Sequence, residues 1–143
     1  MPTTTVVFYQ DDDRSVPVDQ WLCTLPKKVQ AKCQAYLGQL EDFGHELRRP
    51  IADYLRDGIY ELRPSFQGVH YRMLYFFPQK KKKKRTARAN ETEYPYVVVV
   101  SHGLTKEGEV PDVEIDRAIA RKAMFESTPE THMFKPHLTR EQL

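Results

Sequence analysis

Cysteine is scarce in this chain. Of 143 residues only Cys23 and Cys33 are cysteines, ten apart on helical-looking sequence and with no CxxC spacing. That excludes a disulfide scaffold and points to a reducing compartment. Long hydrophobic runs are missing too: nothing approaches the roughly 20 apolar residues that a spanning helix needs. The opening MPTTTVVFYQDDDR has the marks of neither a signal peptide nor a transit peptide. The expectation is a soluble, cytoplasmic protein with no membrane partner. No P-loop, GxGxxG, HExxH or GxSxG occurs. His132 and His137 are five apart in a proline-containing tail, which is poor zinc-ligand spacing, so no metal and no cofactor is implied. The length fits one domain able to bury about two-thirds of its unfolded surface, and no internal repeat divides it.

What the chain does have is an island of positive charge. The formal net charge is only +2, yet Lys80, Lys81, Lys82, Lys83, Lys84 and Arg85 are consecutive. Between Pro78 and Glu93 seven Lys/Arg meet two Glu, which leaves fifteen cations against eighteen carboxylates elsewhere. Such a run suits a polyanion, and equally suits a solvated loop.

The periodicity gives the order β-α-α-β-β-β-α. TTTVVFY (Thr3 to Tyr9) reads as a strand. Ser15 is an N-cap candidate for a short helix with Pro17 in its first turn. Trp21, Leu25, Val29, Cys33, Leu37 and Leu40 recur at helical steps, and Gly44 is the expected stop. Residues 45–56 read as a loop with at most a short strand, and Asp57-Gly58 as a turn. IYELR, VHYRMLYFF and YPYVVVVSH read as three strands, the last apolar enough to be central. A final helix begins near Pro111 with Ile115, Ala118, Ile119 and Ala123 on one face. The tail from Ser127 has no sustained period and is expected to be partly disordered or partner-dependent. The fold class is α+β: a mostly antiparallel, twisted sheet with helices on one face and the other face free to work.

Several residues could carry chemistry. Arg63 and Arg72 lie on consecutive strands joined by a short turn, with Tyr60 and Tyr71 beside them. Glu61 shares Arg63's face. His102 ends the third strand. RNA can be cut without metal when its 2′-hydroxyl attacks the adjacent phosphate. That reaction needs a base, an acid and cations on the phosphate. Arginine binds phosphate bidentately, histidine exchanges protons near neutral pH, and exposed tyrosines stack on bases. Taken singly, each also has a structural reading: a salt-bridged arginine, a histidine on a carbonyl, packed tyrosines. Both cysteines read as helix packing.

The combination resembles the RelE/ParE toxin superfamily, and within it the HigB-like, phage-derived branch. The stretches that carry this are VVFYQDDDRSVPVDQWL, LPKKVQAKCQAYLGQLEDFG, DGIYELRPSFQGVHYRMLYFF, VVVVSHGLTKEG and PDVEIDRAIARKAMF, together Val6 to Phe125. The resemblance implies a RelE-like fold with a curved sheet, formed by residues 1–126 as one toxin domain, with 127–143 as the tail. It implies the toxin of a type II toxin–antitoxin system: a metal-independent, ribosome-dependent endoribonuclease that cuts mRNA. The partners it implies are the ribosome, mRNA and a helix-turn-helix antitoxin, with operator DNA bound only through the antitoxin complex. By position, His102 is the proton-transfer residue and Arg72 the transition-state phosphate ligand. Arg63 and Lys106, in the turn after the strand, position the backbone, and Tyr71 stacks on a base. Relative to the pattern, 78–93 is an extended basic hairpin loop and a handle for RNA. Arg48, Arg49 and Arg56 stand in the region where RelE relatives carry lysines. Two alternatives share the fold: a ParE-type gyrase-inhibiting toxin, and a non-catalytic nucleic-acid-binding relative.

Overall fold

The computed structural model describes residues 4–79 and 97–136. Within them the order is β1 (Thr5–Tyr9), α1 (Pro17–Cys23), α2 (Lys27–Phe43), β2 (Ala52–Arg56), β3 (Ile59–Leu62), β4 (Ser65–Phe66), β5 (Val69–Phe76), β6 (Val97–Lys106), α3 (Asp112–Ser127) and β7 (Met133–Phe134). This is a mixed α+β arrangement on one seven-stranded sheet, ordered β2-β3-β5-β6-β1-β7, with β4 beside β5. The pairings are antiparallel except β1 with β6, which is parallel.

Helices cover both faces of this sheet, where the sequence suggested one. Val6, Phe8, Met73, Tyr75, Val98 and Val100 pack with Leu22, Val29, Cys33, Leu37 and Leu40 of α1 and α2. Val7, Tyr9, Leu74, Phe76, Val97 and Val99 pack with Ile115, Ala118 and Phe125 of α3. The reason is in the strands themselves. β1 and β6 are apolar at consecutive positions, so alternate side chains leave both faces in need of cover. Each large side chain buried this way contributes roughly 1.5–3 kcal/mol.

The turns follow local chemistry. Asp57-Gly58 and Gln67-Gly68 join β2 to β3 and β4 to β5 as two-residue loops, with positive φ at all four residues. Gly44 ends α2 at φ 52°, and its N–H donates to the Leu40 carbonyl. Pro17 opens α1, but the cap position is Val16; Ser15 instead donates to Asp13 Oδ1 through its N–H (2.9 Å) and its hydroxyl (2.7 Å). Cys33 is buried, which pushes its thiol up to about 12, whereas Cys23 is exposed. Ala123, expected on α3's apolar face, is also exposed; Phe125 takes the place.

The segment after α3 is more structured than its composition suggests. β7 pairs with β1, and His132 is 1% exposed, stacked on Tyr9 at 5.1 Å. Its Nδ1 donates to the Gln10 carbonyl at 2.8 Å. Residues 137–143 lie outside the described residues, as do Lys80 to Arg85. β5 and β6, which flank the basic run, are antiparallel neighbours.

α1 lies close on β6 because position 103 has no side chain. A Cβ on Gly103 would come within 2.1 Å of the Trp21 ring. Gly103→Ala should therefore cost about 1–3 kcal/mol in urea unfolding. Gly108→Ala, where a Cβ meets nothing within 4 Å, should stay within about 0.5 kcal/mol of the parent.

Candidate functional site

The site is organised by one extra residue in β6. Leu74 faces His102 across the β5–β6 ladder, and Tyr75 faces Val100, so Ser101 is a bulge. Before it, Val98 and Val100 point to the α1/α2 face. After it the parity is reversed: Gly103 meets Trp21 of α1, while Leu104 joins the α3 face. The bulge thereby turns His102, Leu104 and Lys106 toward the face that carries Leu74 and Arg72. β6 also runs on through Lys106, so the residues expected to form a turn after His102 continue the strand.

On that face charged groups gather. Glu61 of β3 and Arg72 of β5 are each only 3% exposed. Glu61 Oε2 accepts from Arg63 Nη1 at 2.7 Å. Its Oε1 lies 3.2 Å from Arg72 Nε, close enough to pair as charges but not aligned as a hydrogen bond. Arg72 Nη1 donates to the Tyr71 carbonyl at 2.8 Å. Burial lowers the Arg72 pKa against the pull of Glu61. Lys106, half-buried, is lowered by burial and then by Arg72 and Arg63, with Glu61 opposing. Asp53 of β2 sits opposite Glu61, and Arg49 Nε donates to its Oδ2 at 2.9 Å. One buried carboxylate thus holds two guanidinium groups, with a third cation close by. Arg63 keeps 22% of its side chain open.

His102 belongs to a second cluster, under the first turns of α3. It is 6% exposed. Its Nε2 is 2.9 Å from Glu114 Oε1 and its Nδ1 is 2.7 Å from the Ser101 hydroxyl. A carboxylate only accepts, so Nε2 carries the hydrogen and Nδ1 accepts from Ser101. Arg117 Nη1 also donates to Glu114 Oε1 at 2.6 Å, and Arg121 lies over the Tyr9 ring. Burial, and then Arg121, lower His102 to about 4. At neutral pH it is an uncharged tie between β6 and α3 with both nitrogens occupied.

The expected set therefore divides. Arg63, Arg72 and Lys106 come together. His102 faces α3 instead. Tyr71 is 8% exposed on the opposite face, in the α1/α2 core and edge-on to Trp21, because neighbours along a strand alternate; it offers no open ring to a base. Tyr60 packs on the same side, stacked on Tyr75. Sequence reading missed Asp53, Glu114 and His70. The last is exposed, two residues before Arg72, and pairs in register with Lys106. The signal available for it was the His-x-Arg alternation in β5.

A family profile described as Phage derived protein Gp49-like (DUF891) matches residues 20–123. The chain belongs to this family. The Gp49-like proteins are a toxin-like family related to RelE and HigB. The match begins in α1 and ends within α3, so it takes in Glu61, Arg63, His70, Arg72 and Lys106. No curated protein matches the chain. Among the described residues no helix is long and apolar enough to cross a membrane.

The His102 shift has a sign that can be measured. Its pKa falls from 6.5 in the unfolded chain to about 4 when folded, so the unfolded state binds the extra proton between those values. Its contribution is intact above 6.5 and is lost as pH falls toward 4, by roughly 3 kcal/mol in all. Urea titrations from pH 7.5 to 4 should show this loss. His102→Gln should be less stable at pH 7 but have a flatter profile across that window.

Proposed function

We propose that this protein is the toxin of a type II toxin–antitoxin pair, with a RelE-like fold of the HigB-like branch, and that it cleaves mRNA on the ribosome without metal. The observation that carries the reading is the gathering of Arg63, Arg72 and Lys106 around buried Glu61 on one sheet face. A phosphodiester passing to a pentacoordinate state gains negative charge, and fixed cations in a partly dry site stabilise that charge. Arg63, gripped by Glu61 and still partly open, is the phosphate ligand. Arg72 backs it with charge from beneath the surface, rather than touching RNA. Lys106, its ammonium made more acidic by burial and by the two arginines, donates to the leaving 5′-oxygen. His102 anchors α3 and carries no proton in the reaction. The Lys80 to Arg85 run adds attraction for RNA at long range. A toxin of this class is neutralised by a helix-turn-helix antitoxin, through which operator DNA is bound.

One observation favours a second reading. His102 has no free nitrogen to exchange a proton, which would suit a ParE-type protein that inhibits gyrase without cutting nucleic acid.

Mapping the 5′ ends of cellular mRNA after induction separates the two. New ends should appear within translated frames. Arg63→Ala and Lys106→Met should each reduce cleavage about 100-fold. Deleting residues 80–85 should weaken RNA binding and flatten its salt dependence while leaving cleavage at saturation intact. Growth arrest with intact mRNA and inhibited supercoiling would replace the ribonuclease reading with the gyrase one.

A further inference from the structure

On the reading above, the cationic face has a phosphate ligand in Arg63 and an acid in Lys106, and among the described residues no base has yet been assigned. We infer that His70 is the general base of this site, taking the proton from the 2′-hydroxyl of an RNA substrate. The inference rests on the ribonuclease reading and adds to it the residue that His102 cannot be.

Position carries the case. β5 is an alternating strand: Tyr71, Met73 and Tyr75 pack on the α1/α2 side, and Leu74 and Phe76 on the α3 side. His70 and Arg72 therefore share the α3 side. On β6 the residue paired with His70 is Lys106, and the residue paired with Arg72 is Leu104. Cross-strand partners stand about 5 Å apart at Cβ, so the His70 and Lys106 side chains leave the sheet side by side on this face. Ser65 of β4 is the partner on the other side. The charged groups that act on Lys106 of β6 and Arg72 of β5 are Glu61 and Arg63 from the β3 side, Arg49 on Arg72 from before β2, and Glu109 on Lys106 from beyond the strand. Among the described residues no helix covers the imidazole: His70 is exposed, where His102 is buried with both nitrogens engaged.

The chemistry balances with these groups alone. Neutral His70 accepts the 2′-hydroxyl proton as the 2′-oxygen forms its bond to phosphorus. The bond from phosphorus to the 5′-oxygen breaks, and that oxygen takes a proton from the Lys106 ammonium. The products are a 2′,3′-cyclic phosphate and a 5′-hydroxyl. The imidazolium then returns its proton to solvent, and Lys106 regains one.

The test is single-turnover cleavage of ribosome-bound mRNA by wild type, His70→Ala and His102→Gln, from pH 5 to 8.5. It is accompanied by the affinity of each for a 2′-O-methyl RNA that cannot be cut. His70→Ala should cleave about 100-fold more slowly at pH 7. It should lose the rising acid limb of the pH profile, recover part of its rate with added imidazole, and bind the methylated RNA within about threefold of wild type. His70 is exposed, so its melting temperature should not move. His102→Gln should keep the acid limb once corrected for folded protein. If wild type cleaves and His70→Ala cleaves within threefold of it, or loses affinity as much as rate, the assignment of His70 is overturned and the ribonuclease reading stands. If wild type cleaves no RNA, the ribonuclease reading falls and takes this role with it.

Discussion

Burial of β6 on both faces is the constraint on which the rest of the molecule depends. From Val97 to His102 every residue of this strand is buried. A strand of that kind cannot face solvent on either side, so each face must recruit its own helices. α1 and α2 seal one side, and α3 seals the other. β5 and β1 saturate its two edges. The parallel pairing with β1 brings the first described strand beside β6, one place in from the β7 edge of the sheet. β1 then presents its outer edge to β7, which explains why a tail of weak pattern is held at all.

The bulge at Ser101 changes which side chains this packing strand presents to each face. A regular strand alternating from Val98 and Val100 would send His102 and Lys106 into the α1/α2 side. One inserted residue reverses the parity, so Lys106 arrives where Arg72, Arg63 and His70 already point. The same insertion presents the Ser101 hydroxyl and the His102 ring to α3, where Glu114, Arg117 and Arg121 meet them. A single irregularity therefore makes two clusters. One ties the helix down, and the other is left open beyond it.

The legible part of the fold is the part with simple periods. Helical spacing located α2 through Val29, Cys33, Leu37 and Leu40, alternation located β3, an aromatic-rich run located β5, and an apolar run located the first part of β6. The site was half legible. Arg63 and Arg72 could be placed together because they flank a tight hairpin. His102 and Lys106 could not be placed, because a bulge has no sequence period and a one-residue slip exchanges faces; Tyr71 follows from plain alternation, which sets it on the face opposite Arg72. Helices on both faces were hidden for a related reason. An apolar run reads as central without saying how many layers cover it. β7 is two residues long, too short for any period, and its place depends on His132 finding the Gln10 carbonyl more than a hundred residues away.

Two kinds of positive charge follow from this architecture, and they suit different work. The six cations from Lys80 to Arg85 lie between β5 and β6 in sequence, with no carboxylate among them. Charge of that sort attracts a polyanion at a distance set by the Debye length, is screened by salt, and fixes no geometry. Arg63 and Arg72 are the opposite case. Glu61 cancels part of their charge at 2.7 and 3.2 Å, which weakens long-range attraction but restricts the rotamers of both guanidinium groups. A buried carboxylate beside a phosphate site would be a liability if it faced the phosphate. At 3% exposure, with both oxygens turned to guanidinium groups, Glu61 orders the two cations and is itself closed to solvent.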